Sequence, residues 1–323
     1  HAATLSPACD RGTFVPPTII EIGSLAELTR EVFGPVLHVL RFRRDDTDAL
    51  LRQINATGYG LTFGVHSRID ETIDHLTERA AAGNIYVNRN LIGAVVGVQP
   101  FGGHGLSGTG PKAGGPLYLR RLLAVRPTET GLPAPPAPPP LLAAWCDWLS
   151  AHNAVAAATR CRAYAERSHL GLRLTLPGPV GEANLYRLEP RGAVLCVAET
   201  AFGAMVQAGA ALAAGNAAIL RAPADVLAAL AGMPAALRNL IRADTRDDAT
   251  DCSAVLHEGA ETALRALAEE VAQWDGPIRP VFSATAERLA SGAADYPLEF
   301  LLSERSVSTN TAAAGGNASL MSL

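Results

Sequence analysis

The first ninety residues switch repeatedly between a two-residue and a helical apolar rhythm. Residues 14–21 (FVPPTIIE) read as an extended segment entering a strand, because Pro16 and Pro17 exclude helix. Ser24 opens a short helical turn, and Glu27 three residues later completes a candidate capping box. Residues 36–42 (VLHVLRF) predict a strand. Residues 47–57 predict a helix through Leu50, Leu51 and Ile54 that stops at Gly58. A short strand over 61–66, a helix over 69–82 ending at Gly83, and a strand over 84–88 (NIYVN) follow. This βαβα order predicts a parallel sheet.

The second half repeats the rhythm. Residues 120–126 (RRLLAVR) predict a strand, and 127–140 hold seven prolines in a polyproline-like linker. Beyond it the pattern predicts helix over 142–169, strand over 192–197, helix over 201–214 closed by Gly215-Asn216, and strand over 217–220. Helix over 225–242, strand over 253–257, helix over 262–274 and strand over 278–282 complete it. Residues 309–322 are small and polar, with neither period. The expected fold class is α/β, in two domains on either side of the Pro-rich segment.

Composition narrows the function classes. The chain has 323 residues, enough for two cores, with 48% hydrophobic and 18% charged residues. A net charge of −4 leaves no nucleic-acid footprint. The basic residues Arg41, Arg43 and Arg44 are followed at once by Asp45, Asp46 and Asp48, which reads as a solvated surface. Five widely spaced cysteines without CxxC or metal-spaced histidines fit a reducing compartment and no metal site. No apolar run is long enough to cross a membrane, and the first residues lack a signal-peptide pattern. The chain starts at His1, as though cut from something longer.

Residues 88–119 carry nine glycines interleaved with Val95, Val96, Val98, Phe101 and a lysine. Glycine lets the backbone take positive φ or pass close to another group. A flexible linker would not intersperse these apolar residues, so the stretch reads as a folded, substrate-facing loop system. Upstream, Gly34-Pro35 forces a turn that lets Glu31 and Phe33 project from one loop. A carboxylate can accept two ribose hydroxyls, and an aromatic face can pack a nicotinamide ring. The same residues also fit a helix end with a surface Glu31.

The motifs ExFGP at 31–35, YGL at 59–61, QPFGG at 99–103 and GLSGTGPKAGGP at 105–116 occur in an order that resembles NAD-dependent aldehyde dehydrogenases. The wording is similar to the glutamate-semialdehyde dehydrogenase module of bifunctional proline utilization A proteins. The resemblance implies residues 1–126 as the C-terminal part of an aldehyde dehydrogenase catalytic domain and 127–140 as linker. It implies 141–303 as an aldehyde-dehydrogenase-like, degenerate Rossmann-like α/β domain, and 304–323 as a tail that packs back on the body. RGAVLCVAETAFGAMVQAGAALAAGNAAILRAP at 191–223 resembles the family's nucleotide-binding segment, with Arg221-Ala222-Pro223 where Lys-Pro is expected. LHEGAE at 256–261 stands where the family carries a Gly-Ser turn.

The resemblance implies Glu31 and Phe33 as NAD-binding residues. It implies Gly93 and Ala94 as backbone anchors for the substrate carboxylate, and Phe101 as a cover for its aliphatic part. Phe101 fits core packing equally. His38, His66, His104 and the His257-Glu258 pair read as satisfied structural residues.

Aldehyde oxidation of this kind needs a thiolate nucleophile. The resemblance implies a nucleophilic Cys upstream of Glu31; only Cys9 precedes it, in an unsuitable context (SPACDRG), so the chain is read as carrying no catalytic residue and is expected to be inactive alone. The resemblance further implies a small-molecule substrate, glutamate semialdehyde, a homo-oligomer, and FAD only in an upstream proline dehydrogenase domain. Its setting would be cytoplasmic, at or off the membrane surface in the full-length protein. Two alternatives stay open: a non-catalytic aldehyde-dehydrogenase-like scaffold, and a separate aldehyde dehydrogenase with an added lid or dimerisation domain.

Overall fold

A computed structural model of the chain describes residues 1–108, 110–127, 130–133, 137, 139–245 and 251–312. The chain divides into two compact units, 1–57 and 58–323.

In the first unit, β1 (Thr18–Ile22) and β2 (Val36–Leu40) pair in parallel, with Thr18 opposite Val36 and Ile22 opposite Leu40. Between them Ser24 and Glu27 form the expected capping box around a single 3-10 turn, Leu25–Glu27. Helix α1 (Thr47–Ala56) buries Leu51.

The second unit starts with β3 (Tyr59–Gly60), β4 (Thr62–Val65), α2 (Asp70–Arg79), β5 (Asn84–Val87) and β6 (His104–Gly105). Gly60 is obligatory in β3, since a Cβ there would sit 2.2 Å from the Ala81 carbonyl oxygen. Residues 120–126 are not a strand. Helix α3 (Tyr118–Leu122) forms instead, and Arg120 turns inward to a buried ion pair with Glu299 at 2.7 Å. The run has no two-residue alternation to oppose this, and an unpaired buried guanidinium would be costly.

The long helix expected over 142–169 is two: α4 (Pro140–Ala151), with Pro140 in its first turn, and α5 (Val155–Arg167). Asn153 at φ +60° breaks them. The sheet strands that follow are β7 (Arg173–Leu176) and β8 (Glu182–Pro190), then β9 (Ala193–Val197), α6 (Ala201–Ala213) and β10 (Ala217–Arg221). The helix expected over 225–242 is interrupted. Only α7 (Ala224–Ala228) and α8 (Ala235–Arg238) are helical, and β11 (Ile241–Ala243) follows. Gly232 at φ +84° and Pro234 stop any continuous helix there. β12 (Ala254–Glu258), α9 (Glu261–Ala272), β13 (Val281–Ala284), α10 (Ala286–Ser291) and β14 (Leu302–Asn310) complete the unit.

Two five-stranded sheets result. The first, β11-β10-β9-β12-β13, is wholly parallel in its described pairs. Numbered along the chain its order is 3-2-1-4-5, the doubly wound arrangement of dinucleotide-binding domains. Its principal helix, α6, is almost entirely buried and built from Ala and Gly. A Cβ on Gly209 would meet Cys161 Sγ at 2.2 Å, so α5 and α6 pack at a distance only glycine permits. Trp145 and Trp148 stack at 5.2 Å in the same core.

The second sheet, β4-β5-β14-β8-β7, joins strands from both sides of the Pro-rich segment. β14 is its middle strand, parallel to β5 and antiparallel to β8. The expected tail from 304 therefore begins inside a central strand. Its polar residues are buried because each is paired: Ser306 Oγ donates to Pro100 O at 2.8 Å, and Arg305 reaches Glu189 at 3.2 Å and the Thr77 carbonyl. The rest of that segment, from 313, lies outside the described residues.

Candidate functional site

The chain that leaves β5 carries the candidate substrate residues, and Asn84 at the start of the strand ties back to it. Leaving Val87, Asn88 takes φ +55° and braces the chain by accepting from Ser67 N at 2.9 Å and donating to Ser67 O at 2.8 Å. The loop over 91–97 then lies on the surface, with Ile92 and Val96 largely exposed. Gly93 takes φ +78° and Gly97 φ +76°. Around this turn Ile92 N donates to Asn90 Oδ1 at 3.2 Å and Val95 N to Gln99 Oε1 at 2.8 Å. The intervening N–H groups of Gly93 and Ala94 have no acceptor among the described residues. Gly93 and Ala94 thus present two adjacent unaccepted N–H groups at a left-handed turn, the kind of backbone from which anion-binding nests are built.

The loop is held from a distance. Glu182, at the start of β8, accepts hydrogen bonds from Gln99 Nε2 and from Arg89, and Arg89 also donates to Ser308 Oγ on β14 at 2.7 Å. Tyr86 donates to the Gly93 carbonyl at 3.3 Å, and burial raises its hydroxyl pKa. No local pattern points to Glu182 in this role, since it lies 83 positions from Gln99.

Phe101 follows and is half-buried. Its N–H and C=O exchange hydrogen bonds with Ala113 at 3.0 and 2.8 Å. The turn before and after it is tied to Asn84, which donates to Pro100 O at 2.9 Å and accepts from Gly102 N at 3.1 Å. Beneath it lies a buried polar cluster. Glu304 accepts from Lys112 N at 3.0 Å and from Tyr186 OH at 2.6 Å. His104 Nε2 donates to the Glu304 carbonyl at 2.9 Å, and burial pushes its pKa down to about 4. Burial likewise drives Lys112 down to about 7 against the opposing pull of Glu304.

Glu31 and Phe33 belong to the other unit. Both are exposed in a loop, and Phe33 shows 96% of its surface. An aromatic this exposed has no packing function within its own unit. Cys9 sits half-exposed in a 3-10 turn of that unit. The other four cysteines are buried, and burial raises the thiols of Cys196 and Cys252, so neither is a ready thiolate.

At the carboxyl edge of the parallel sheet, Glu258 seats its carboxylate on the N-terminus of α6. It accepts from Glu199 N at 3.0 Å, Thr200 N at 2.9 Å and Thr200 Oγ1 at 2.7 Å. A Cβ on Gly203 would come within 1.9 Å of that carboxylate. The spot where a doubly wound domain receives a ligand phosphate is thus filled by the chain itself. His257 is buried beside it, with Nδ1 2.9 Å from Ser283 Oγ. Among the described residues no group of side chains could hold a metal ion, and no helix is long and apolar enough to cross a membrane.

Residues 2–127 match the model of the aldehyde dehydrogenase family. Over 319 residues the chain is 50% identical to the bifunctional protein PutA of Rhizobium meliloti, covering 97% of this chain and 26% of that protein. It is 41% identical over 124 residues to a 1-pyrroline-5-carboxylate dehydrogenase of Bacillus thuringiensis, covering 38% of this chain and 24% of that one. Among solved structures, proline utilization A from Corynebacterium freiburgense superposes with a TM-score of 0.55 at 24% identity, over 87% of this chain and 26% of that chain. The chain spans about a quarter of the length of the curated relatives it matches.

Proposed function

We propose that this chain, whose residues 2–127 match the aldehyde dehydrogenase family model and whose fold is aldehyde-dehydrogenase-like, is the C-terminal part of an NAD-dependent glutamate-semialdehyde dehydrogenase within a bifunctional proline-oxidising protein. The observation that carries this reading is the pair of unaccepted N–H groups at Gly93 and Ala94 beside the left-handed Gly93. They would receive the substrate carboxylate, with Phe101 against its aliphatic part. Glu31 would accept the ribose hydroxyls of NAD, and Phe33 would pack its nicotinamide. The thiolate that attacks the aldehyde would come from sequence outside these 323 residues, as would the FAD-dependent step. The parallel-sheet domain would serve as scaffold, with Glu182 holding the substrate loop and Glu258 excluding a second nucleotide.

The test compares NADH formation from glutamate semialdehyde by the complete protein and by the 323-residue chain. The complete protein is expected to turn over and the chain alone to stay at background. Turnover by the chain alone, abolished by Cys9→Ser, would remove the assignment of the nucleophile.

A further inference from the structure

Lys112 is the only lysine in the sequence; every other one of the 27 Lys and Arg residues is arginine. It is also among the most buried residues, with 1% of its surface exposed. A chain that uses arginine for every other positive charge has kept an ammonium at one position, inside the protein. The tip of the side chain is closely surrounded. Lys112 Nζ donates to Asn84 Oδ1 at 3.1 Å and to the Gly102 carbonyl. Gly83 packs against the same point, since a Cβ there would fall 2.7 Å from Nζ and 2.0 Å from the Gly102 oxygen. A compact ammonium fits between these two oxygens.

Burial opposes the charge and lowers the Lys112 pKa to about 7, although Glu304 pulls the other way. A methionine of similar length would escape the penalty. It could not, however, donate to both oxygens. Those oxygens frame Phe101: Asn84 holds Pro100 O and Gly102 N, and the Gly102 carbonyl is the other end of the turn. The backbone of Lys112 is fixed in turn by Glu304, and its neighbour Ala113 pairs directly with Phe101.

We propose that Lys112 is a positioning residue for aldehyde oxidation: its Nζ ties Asn84 to the Gly102 carbonyl and thereby sets the Phe101 turn against the substrate. The inference rests on the assignment of the 91–101 region to substrate given above.

The test uses the complete protein, with glutamate semialdehyde and propanal as paired substrates. Lys112→Met is expected to raise KM for the semialdehyde about tenfold, the size of one lost charge-assisted hydrogen bond. The change in kcat, and in both constants for propanal, should be much smaller. Lys112→Gln retains a polar donor and should fall between the unsubstituted protein and Lys112→Met. Lys112 also borders a cavity of about 350 Å3, shared with His104, Arg191 and Phe300. That gives a small cation a route, so propylammonium should restore a low semialdehyde KM to Lys112→Ala while propanol should not. Equal losses for both aldehydes with a fall in Tm, or no rescue by propylammonium, would overturn the proposal and leave Lys112 a packing residue. If the unsubstituted protein itself does not prefer the semialdehyde, the substrate assignment fails first and this inference goes with it.

Discussion

The Glu182 carboxylate accepts the Gln99 side-chain amide, and Gln99 in turn accepts the Val95 N–H at 2.8 Å. One residue of β8 therefore fixes, through a single intermediary, the backbone turn that carries Gly93 and Ala94. Arg89 gives the same carboxylate a second donor at the loop's other end. The loop's shape is thus set by a strand on the far side of the Pro-rich segment.

Removing that carboxylate should loosen the loop without touching the reacting atoms. Hydrogen bonds to charged groups contribute about 1.5–3 kcal/mol, so Glu182→Ala is expected to raise KM for glutamate semialdehyde by about tenfold or more. Steady-state kinetics of the complete protein check it, with kcat expected to change little. An unchanged KM would mean that the loop holds its shape unaided.

Gly93 has no neighbouring atom within 4 Å of where a Cβ would stand, so space does not forbid a side chain there. Its φ of +78° does, at a cost of about 1–3 kcal/mol for a branched residue. Gly93→Val should therefore damage oxidation of glutamate semialdehyde more than oxidation of propanal. Equal damage would point to general misfolding.

Glu31→Gln keeps the shape of the side chain and removes its charge. If the carboxylate holds the ribose, the KM for NAD should rise about tenfold or more, from the loss of charge-assisted bonds of about 1.5–3 kcal/mol. NAD kinetics identical to the unsubstituted protein would count against the assignment.

His104 sets a pH dependence of stability. Its folded pKa, about 4, lies below the unfolded value of 6.5 because burial disfavours the imidazolium. Between these values the unfolded chain binds a proton that the folded chain does not, so stability falls as pH drops from about 6.5 to 4. Urea unfolding at pH 7 and pH 5 should show this loss, and His104→Gln should reduce it. A loss of the same size in the variant would assign it to other groups.

Glu258→Ala strands three donors at the start of α6. Orphaned buried donors cost about 1–3 kcal/mol, and thermal unfolding should register a lower Tm. No change in Tm would mean that water replaces the carboxylate freely.

What the sequence made legible was local. The capping box at Ser24, the βαβα order, and the Ala-rich α6 closed by Gly215 all rest on neighbouring residues, and all are present. β14 was illegible because both of its faces bury polar side chains, so no two-residue hydrophobic alternation marks it; Glu304, Arg305 and Ser306 are satisfied only by distant partners. The strand expected at 120–126 became α3 for a similar reason, since the partner of Arg120 is Glu299, 179 positions on. At the candidate site, Gly93, Ala94 and Phe101 are proposed from their placement around the PFGG motif. Glu182, Asn84 and Lys112 hold these residues through distant partners; Asn84 and Lys112 lie in stretches read from the sequence, but nothing there marked the bonds they make.

The central claim is that the Gly93 and Ala94 N–H groups receive the substrate carboxylate. A crystal structure of the complete protein with the product glutamate bound tests it most directly. The account predicts a glutamate carboxylate within hydrogen-bonding distance of both nitrogens, about 2.7–3.2 Å, with Phe101 along its methylene groups. Glutamate bound with both carboxylates away from Gly93 and Ala94 would contradict it.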